Sequence, residues 1–246
     1  MKTAIATPPW SGIGKRIESA TRKALYDFNM LENVNSVAVA LSGGKDSLAL
    51  LFMLKAISGK GFAPFDLHAI HVNGEFSCGA GITAGYLKDI CESLDVPLIE
   101  KTSHQKLETL ACYSCSRERR ALIFDAAKSV GATTIAFGHH KDDNAQTVLM
   151  NLLHKGEFAG LLPKIFMVEY GVTIIRPFIY TREDEIKTFA NHHGFLRALC
   201  RCPVGQTSMR KKVEDLLKEI EILYPNAREN VATAGLLYGS QKAATP

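Results

Sequence analysis

The sequence is without any apolar run of the roughly eighteen residues that a membrane-spanning helix needs. It also has no signal-peptide core, because Pro8, Pro9 and Trp10 interrupt the start MKTAIATPPW. Both absences lead to the expectation of a cytoplasmic chain with no membrane partner. Cysteine is scarce: six in 246 residues excludes a disulfide-stapled miniprotein. In a cytosolic chain, clustered thiols serve metals or catalysis more often than disulfides. An excess of one charge is lacking too. The 29 Lys and Arg against 25 Asp and Glu leave +4, which permits a nucleic-acid partner without demanding one. There is no low-complexity block, internal repeat or long linker. What is present is 46% hydrophobic and 22% charged, with length for one large domain and small annexes.

Residues 11–30 carry apolar residues at helical spacing (Ile13, Ile17, Ala20, Ala24, Leu25, Phe28). Strands are expected at Ser36–Leu41, Leu67–Val72, Pro97–Lys101, Thr133–Phe137 and Val172–Pro177, the last pairing with 165–169 as a hairpin. Helices are expected from Ser47, over Ile82–Leu94, Cys115–Val130 and Asn144–His154, then over 208–222 and 226–237 around Pro225. Thr181 with Asp184 reads as a capping box opening a helix to about His193. This alternation predicts an α/β fold, a doubly wound parallel sheet. The organisation expected is a helical extension over 1–34, an α/β domain over 35–195 and a helical segment over 196–246. Sites in such sheets lie at the carboxyl ends of strands, near the switch in strand order. The unusual segments here, SGGKDS, HVNGEFSC and GHHKDD, all follow strand ends and should converge on one rim.

Ser42-Gly43-Gly44-Lys45-Asp46-Ser47 stands between a strand and a helix. It is shorter than a Walker A loop and has an aspartate inside it. Two glycines let backbone approach an anion, and the following helix offers free N–H groups and a positive dipole end. Lys45 adds charge, and the Ser42 and Ser47 hydroxyls can donate. Asp46 is out of place beside bare phosphate but sensible if Mg²⁺ accompanies a nucleotide. The bland alternative is a solvated Gly-Gly turn. SGGKDS resembles the PP-loop of the N-type ATP pyrophosphatases, which cleave ATP between the α and β phosphates and adenylate a carbonyl oxygen. The resemblance implies that Ser42–Ser47 hold the pyrophosphate portion. It also implies that Ala69 to Val72, with His71 among them, border the adenine.

Cys112-Tyr113-Ser114-Cys115 is a CxxC, Cys200-Arg201-Cys202 a second close pair, and Cys78 and Cys91 stand alone. Four thiols could hold zinc, and three or four an iron–sulfur cluster. Cys91, beside Ile90 and Leu94, reads as a buried packing thiol. The segments CYSCSRERR, GATTIAFGHHKDDNAQTVLMNLL, KGEFAGLLPKI, IIRPFIYTREDEI and FLRALC together resemble the tRNA 2-thiocytidine synthetase (TtcA) family over about residues 36–225. That resemblance implies a 4Fe–4S cluster on Cys112, Cys115 and Cys200, with the fourth iron open to sulfur. The family commonly has CxxCG downstream, where this chain has CRCPVG, so Cys202 is the substitute ligand. Four thiolates would close the cluster. A related uridine-thiolating family has further cysteine pairs at both ends, and residues 1–77 and 203–246 hold none.

In Gly138-His139-His140-Lys141-Asp142-Asp143, the two histidines and two aspartates read either as loop support or as a metal set. The resemblance gives Asp143 a catalytic role, sets Gly138 and His139 at the nucleotide, and matches Arg119 to a basic catalytic position. Arg117, Arg119 and Arg120 at a helix start oppose its dipole, which calls for an anionic partner. Arg210, Lys211 and Lys212 form another basic patch suited to RNA backbone. The reading that results is an ATP-, Mg²⁺- and cluster-dependent sulfurtransferase acting on tRNA cytidine, with Lys45, Arg119 and Asp143 catalytic. A cysteine desulfurase as sulfur source and a homodimer are implied by the resemblance alone. The alternative keeps adenylation but changes the acceptor to another RNA base or a small molecule. A mere nucleotide sensor needs neither a pyrophosphate grip nor a second acid site.

Overall fold

The computed structural model describes residues 6–10, 12–74, 84–105, 112–196 and 208–239. Cys78, Cys200 and Cys202 lie outside the described residues, and so does the expected start of the third helix at Ile82. Among the described residues the order is α1 (Gly12–Asp27), β1 (Ser36–Ala40), α2 (Lys45–Ile57), β2 (Asp66–Asn73) and α3 (Ala84–Ser93). There follow β3 (Leu98–Thr102), α4 (Cys112–Ser129), β4 (Thr134–Ala136), α5 (Lys141–Lys155), β5 (Lys164–Met167) and β6 (Val172–Ile175). The chain then runs through α6 (Glu183–His192), α7 (Met209–Leu223) and α8 (Ala227–Tyr238).

The six strands form one sheet in the order β3-β2-β1-β4-β6-β5. All neighbours are parallel except the β5–β6 hairpin at one edge. The order reverses between β1 and β4, so the segments after these two strands flank the switch point. One face carries α1, α2, α3 and α6 over a core that includes Ile17, Leu25, Phe52, Leu87 and Phe189. The other carries α4 over Ile70, Phe124, Ile135 and Ile174. Burial on both faces explains why β1 reads as an unbroken apolar run rather than an alternation. Trp10 meets Phe189 edge to face at 5.4 Å, which fastens the segment before α1 to α6.

The α7–α8 hairpin sits on α5 around its own small core of Ala145, Val213, Leu217 and Ala232. Asn144, wholly buried, joins three segments: its Oδ1 accepts from Leu161 N–H at 2.6 Å and its Nδ2 donates to Ala232 O at 2.8 Å.

Three helices begin earlier than apolar periodicity indicates. α2 starts at Lys45, so Lys45, Asp46 and Ser47 form its first turn. α4 starts at Cys112 rather than Cys115. α5 starts at Lys141 because His140 caps it: the His140 ring accepts from Asp143 N–H, and Asp143 Oδ2 accepts from His140 N–H at 3.0 Å. The expected Thr181–Asp184 box is displaced by one residue. Arg182 is the N-cap, and its N–H donates to Glu185 at 3.2 Å. The Thr181 hydroxyl is buried and makes no hydrogen bond. Asp142 Oδ2 takes over as cap, accepting from Glu183 N–H at 2.8 Å.

Candidate nucleotide site at the sheet rim

The loop after β1 is built by its glycines. Gly43 has φ +83°, in the region that favours glycine, and Gly44 is the extended N-cap of α2. Ser42 Oγ lies 3.1 Å from Ser47 Oγ, and Gly44 N–H donates to Ser42 Oγ at 3.3 Å. Ser47 Oγ also lies 3.0 Å from Gly44 O. The result is a closed turn whose helix N-terminus points its N–H groups to the rim. Gly138, directly after β4, presses on this turn. A Cβ there would stand 3.0 Å from the Asp46 carbonyl carbon and 3.1 Å from Ser47 N.

Lys45 is ion-paired at 3.0 Å to Asp46 and at 3.1 Å to Glu183, the first residue of α6. Burial alone would lower the ammonium pKa, but the two carboxylates outweigh it and raise it, so Lys45 is charged at neutral pH. Asp46 Oδ1 is buried and lacks a well-formed hydrogen bond. Its contact is the Lys45 ammonium at 3.0 Å, and a carboxylate so placed beside a phosphate-type loop fits Mg²⁺, a hard cation that takes oxygen ligands.

Asp143 is held from two sides. Its Oδ1 receives Arg210 Nη1 at 2.6 Å, and its Oδ2 takes the His140 N–H. Burial would raise its pKa, but His140 and Arg210 prevail and lower it. Arg210 therefore turns inward to Asp143 instead of lying open for RNA, and Lys211 pairs with Asp215 at 2.8 Å. His139 stacks on Phe137 at 5.7 Å. Burial, then the charge of Arg176, push its pKa down, so it is neutral, and its Nδ1 has no partner. The alternative of a His-His-Asp-Asp metal set is not assembled. Among the described residues, no group of three or more His, Cys, Asp or Glu is placed to hold a metal ion. His140 and Asp143 are spent capping each other.

His71 is buried, and its Nδ1 meets Leu41 O at 2.8 Å, joining β2 to the end of β1. Ala69 is fully buried two residues before it. Arg119, from α4, donates Nη2 to Val72 O at 3.3 Å, at the carboxyl end of β2, while its Nε is buried without a partner. Glu118 fastens α4 to the segment after β3 through Ser103 Oγ at 2.9 Å and through Gln105. Cys112 and Cys115 stand in the first turn of α4. Cys91 is buried and its thiol is pushed up to about 12 by burial, which makes it an inert packing group.

Apart from the density of charge in TREDE after a strand, Glu183, the capping role of Asp142 and Arg176 carry no local sequence signal of their roles. Each depends on which strands become neighbours.

The PP-loop domain family matches residues 15–196. The tRNA-cytidine(32) 2-sulfurtransferase of Bordetella avium (strain 197N) is 35% identical over 231 residues, 90% of this chain and 72% of that protein. The tRNA-cytidine(32) 2-sulfurtransferase of Dechloromonas aromatica (strain RCB) is 33% identical over 229 residues, 89% of this chain and 79% of that one. Among solved structures, the U34-tRNA thiolase NcsA from Methanococcus maripaludis with its 4Fe–4S cluster shares the fold, with a TM-score of 0.75 at 24% identity. That match covers 95% of this chain and 82% of the other. A match this long, over a glycine turn seated at the switch point, places the chain in the PP-loop family and, within it, among the tRNA-cytidine(32) 2-sulfurtransferases.

Proposed function

We propose that this protein is an ATP-dependent sulfurtransferase that converts a tRNA cytidine to 2-thiocytidine through an adenylated base. The observation that carries the reading is the meeting of two segments at the switch point. The Ser42–Ser47 turn and the Gly138–Asp143 segment touch where Gly138 packs on Asp46 and Ser47. Family membership supplies the substrate class.

The turn and the α2 N-terminus, with Lys45, hold the β and γ phosphates of ATP. Asp46 and Asp143 are the residues that would hold Mg²⁺, which would displace the Lys45 ammonium from Asp46 and the Arg210 guanidinium from Asp143 Oδ1. Cytosine O2 attacks the α-phosphorus, the α–β bridging bond breaks, and pyrophosphate leaves with its charge on Lys45 and the helix N-terminus. The oxygen at C2 is then a phosphate ester and a good leaving group. A sulfur nucleophile adds to C2, and AMP departs with that oxygen. Arg119, fixed at the end of β2, offers its unpartnered Nε–H to charge developing on the reacting groups. Ala69 and His71 lie on the strand that borders the adenine, with Gly138 and His139 at the phosphates. Cys112, Cys115 and Cys200 would hold a 4Fe–4S cluster, which when bound supplies an open iron for the incoming sulfur. The sulfur comes from cysteine through a desulfurase, and the enzyme works in the cytoplasm as a homodimer. Among the described residues, no helix is long and apolar enough to cross a membrane.

Deletion of the gene, with mass spectrometry of the nucleosides of bulk tRNA, tests the assignment. Loss of 2-thiocytidine, restored by the wild-type gene but not by Cys112→Ser, Cys115→Ser or Cys200→Ser, is the expected result. Unchanged 2-thiocytidine in the deletion strain would sink it. A dead Cys202→Ser beside a live Cys200→Ser would move the third ligand to Cys202.

A further inference from the structure

Arg176 follows β6 directly, on the strand beside β4, and none of the steps above uses it. Its backbone N–H donates to Pro163 O at 2.8 Å, and its Nη1 donates to Leu162 O. The guanidinium is thus anchored on the hairpin side. Its Nε is buried and has no partner. A buried cation with an unsatisfied donor is costly unless an anion completes it. The nearby carboxylate cannot do so, because both Asp143 oxygens are committed, one to Arg210 and one to the His140 N–H. His139, beside it, is neutral. Burial lowers the Arg176 pKa to about 10, which still leaves the group charged at neutral pH.

We propose that Arg176 is a phosphate-binding residue of the nucleotide site, a second cationic contact across β4 from the Ser42–Ser47 turn. This rests on the ATP-dependent reading above. The chemistry called for is a phosphoryl oxygen, which a guanidinium binds through Nε–H and a second N–H in its plane. ATP and the tRNA backbone both carry such oxygens. The position favours ATP: the Arg176 Nε is closed to solvent, out of reach of a tRNA backbone lying on the surface. Arg176 acts on the charge of His139 and feels that of Asp143, and both follow the Gly138 that packs on the turn, so the guanidinium stands at the same rim as a triphosphate lying there.

The test uses the full chain and equilibrium binding of Mg·ATP and of a tRNA transcript, with thermal melting as the control for folding. Arg176→Lys keeps the charge and loses the planar pair of donors. It is expected to weaken Mg·ATP binding about tenfold or more, with tRNA affinity and melting temperature unchanged. Arg176→Met, which keeps the side-chain volume, should weaken it further. Wild-type ATP affinity in Arg176→Lys overturns the proposal, whether or not the melting temperature falls. Loss of tRNA affinity alone overturns the choice of ATP as the phosphate source. If neither variant folds, the wild-type protein decides: the Arg176 Nε–H resonance must shift on titration with Mg·ATP, and a stationary signal refutes the contact. Wild-type protein that binds no Mg·ATP overturns the ATP reading as well as this one. A normal affinity in Arg176→Lys overturns only this one.

Discussion

At position 138 a single methyl group decides how close two loops can come. Gly138→Ala would set a Cβ 3.0 to 3.1 Å from the Asp46 carbonyl and the Ser47 nitrogen, both backbone atoms that cannot swing away. The Ser42–Ser47 turn must shift, at a cost of about 1–3 kcal/mol. We expect a tenfold or greater loss of Mg·ATP affinity and only a small fall in melting temperature, because the core lies elsewhere. Unaltered affinity would mean that the contact is incidental. His139, one residue on, makes a pH prediction. Its folded pKa is depressed from 6.5, through burial and then Arg176, while the unfolded imidazole protonates near 6.5. Below that pH the unfolded chain binds the proton and the folded one does not, so stability falls as pH drops from 7 to 5. One such proton contributes at most about 1.4 kcal/mol per pH unit. His71, also lowered by burial, adds a slope of the same sign. Urea unfolding at pH 7 and pH 5 should show the loss, and His139→Phe, which keeps the stack on Phe137, should reduce it.

Among elements, α5 is the junction. Its first turn carries Asp142 and Asp143, and its flank receives the α7–α8 hairpin. The two helices approach closely because Gly235 has no side chain: a Cβ there would come within 2.4 Å of Val148 Cγ2. Arg228 reinforces the joint, pairing with Glu214 and Glu221 at 2.9 Å each and lying 3.6 Å from Asp142. Gly235→Ala should therefore pry α8 from α5 without melting the sheet. Limited proteolysis would show faster cleavage within 208–239, and Mg·ATP affinity would fall because Arg210 no longer steadies Asp143. Intact resistance to protease would refute the wedge. Sequence patterns made the strands and most helices legible because apolar period is a local property, readable along one segment. The turn at Ser42–Ser47 was legible for the same reason. The Asp143–Arg210 pair was not, since its members are 67 residues apart and meet only through the packing of α7 on α5. Nor was the Asp142 cap, because Thr181 offers the same local pattern one residue too early.

For the whole molecule, the two ends of the chain are held by unequal forces. Ile17, Ala24 and Leu25 of α1 are fully buried in the same core as Phe52 and Phe189, and Trp10 closes over Phe189. A large apolar side chain fully buried contributes about 1.5–3 kcal/mol. Removing residues 1–27 forfeits Trp10, Ile17 and Leu25 and exposes their partners. The loss of about 5–9 kcal/mol is comparable to the entire stability of an ordinary domain. That chain should not melt cooperatively. The α7–α8 hairpin shares only the small core around Val213, Leu217 and Ala232. A chain cut before Ser208 should keep a cooperative transition, with the sheet and both of its main cores intact. It would still lose the Arg210 contact to Asp143 and the Arg228 contact to Asp142, so its Mg·ATP affinity should drop while its fold persists. Circular dichroism melts of the two truncated chains beside the full one separate these outcomes. A cooperative melt from the chain lacking 1–27 would show that α1 is a detachable cover. Unfolding of the chain cut before Ser208 would show that the hairpin holds the sheet together, and with it that the site and the fold share one support.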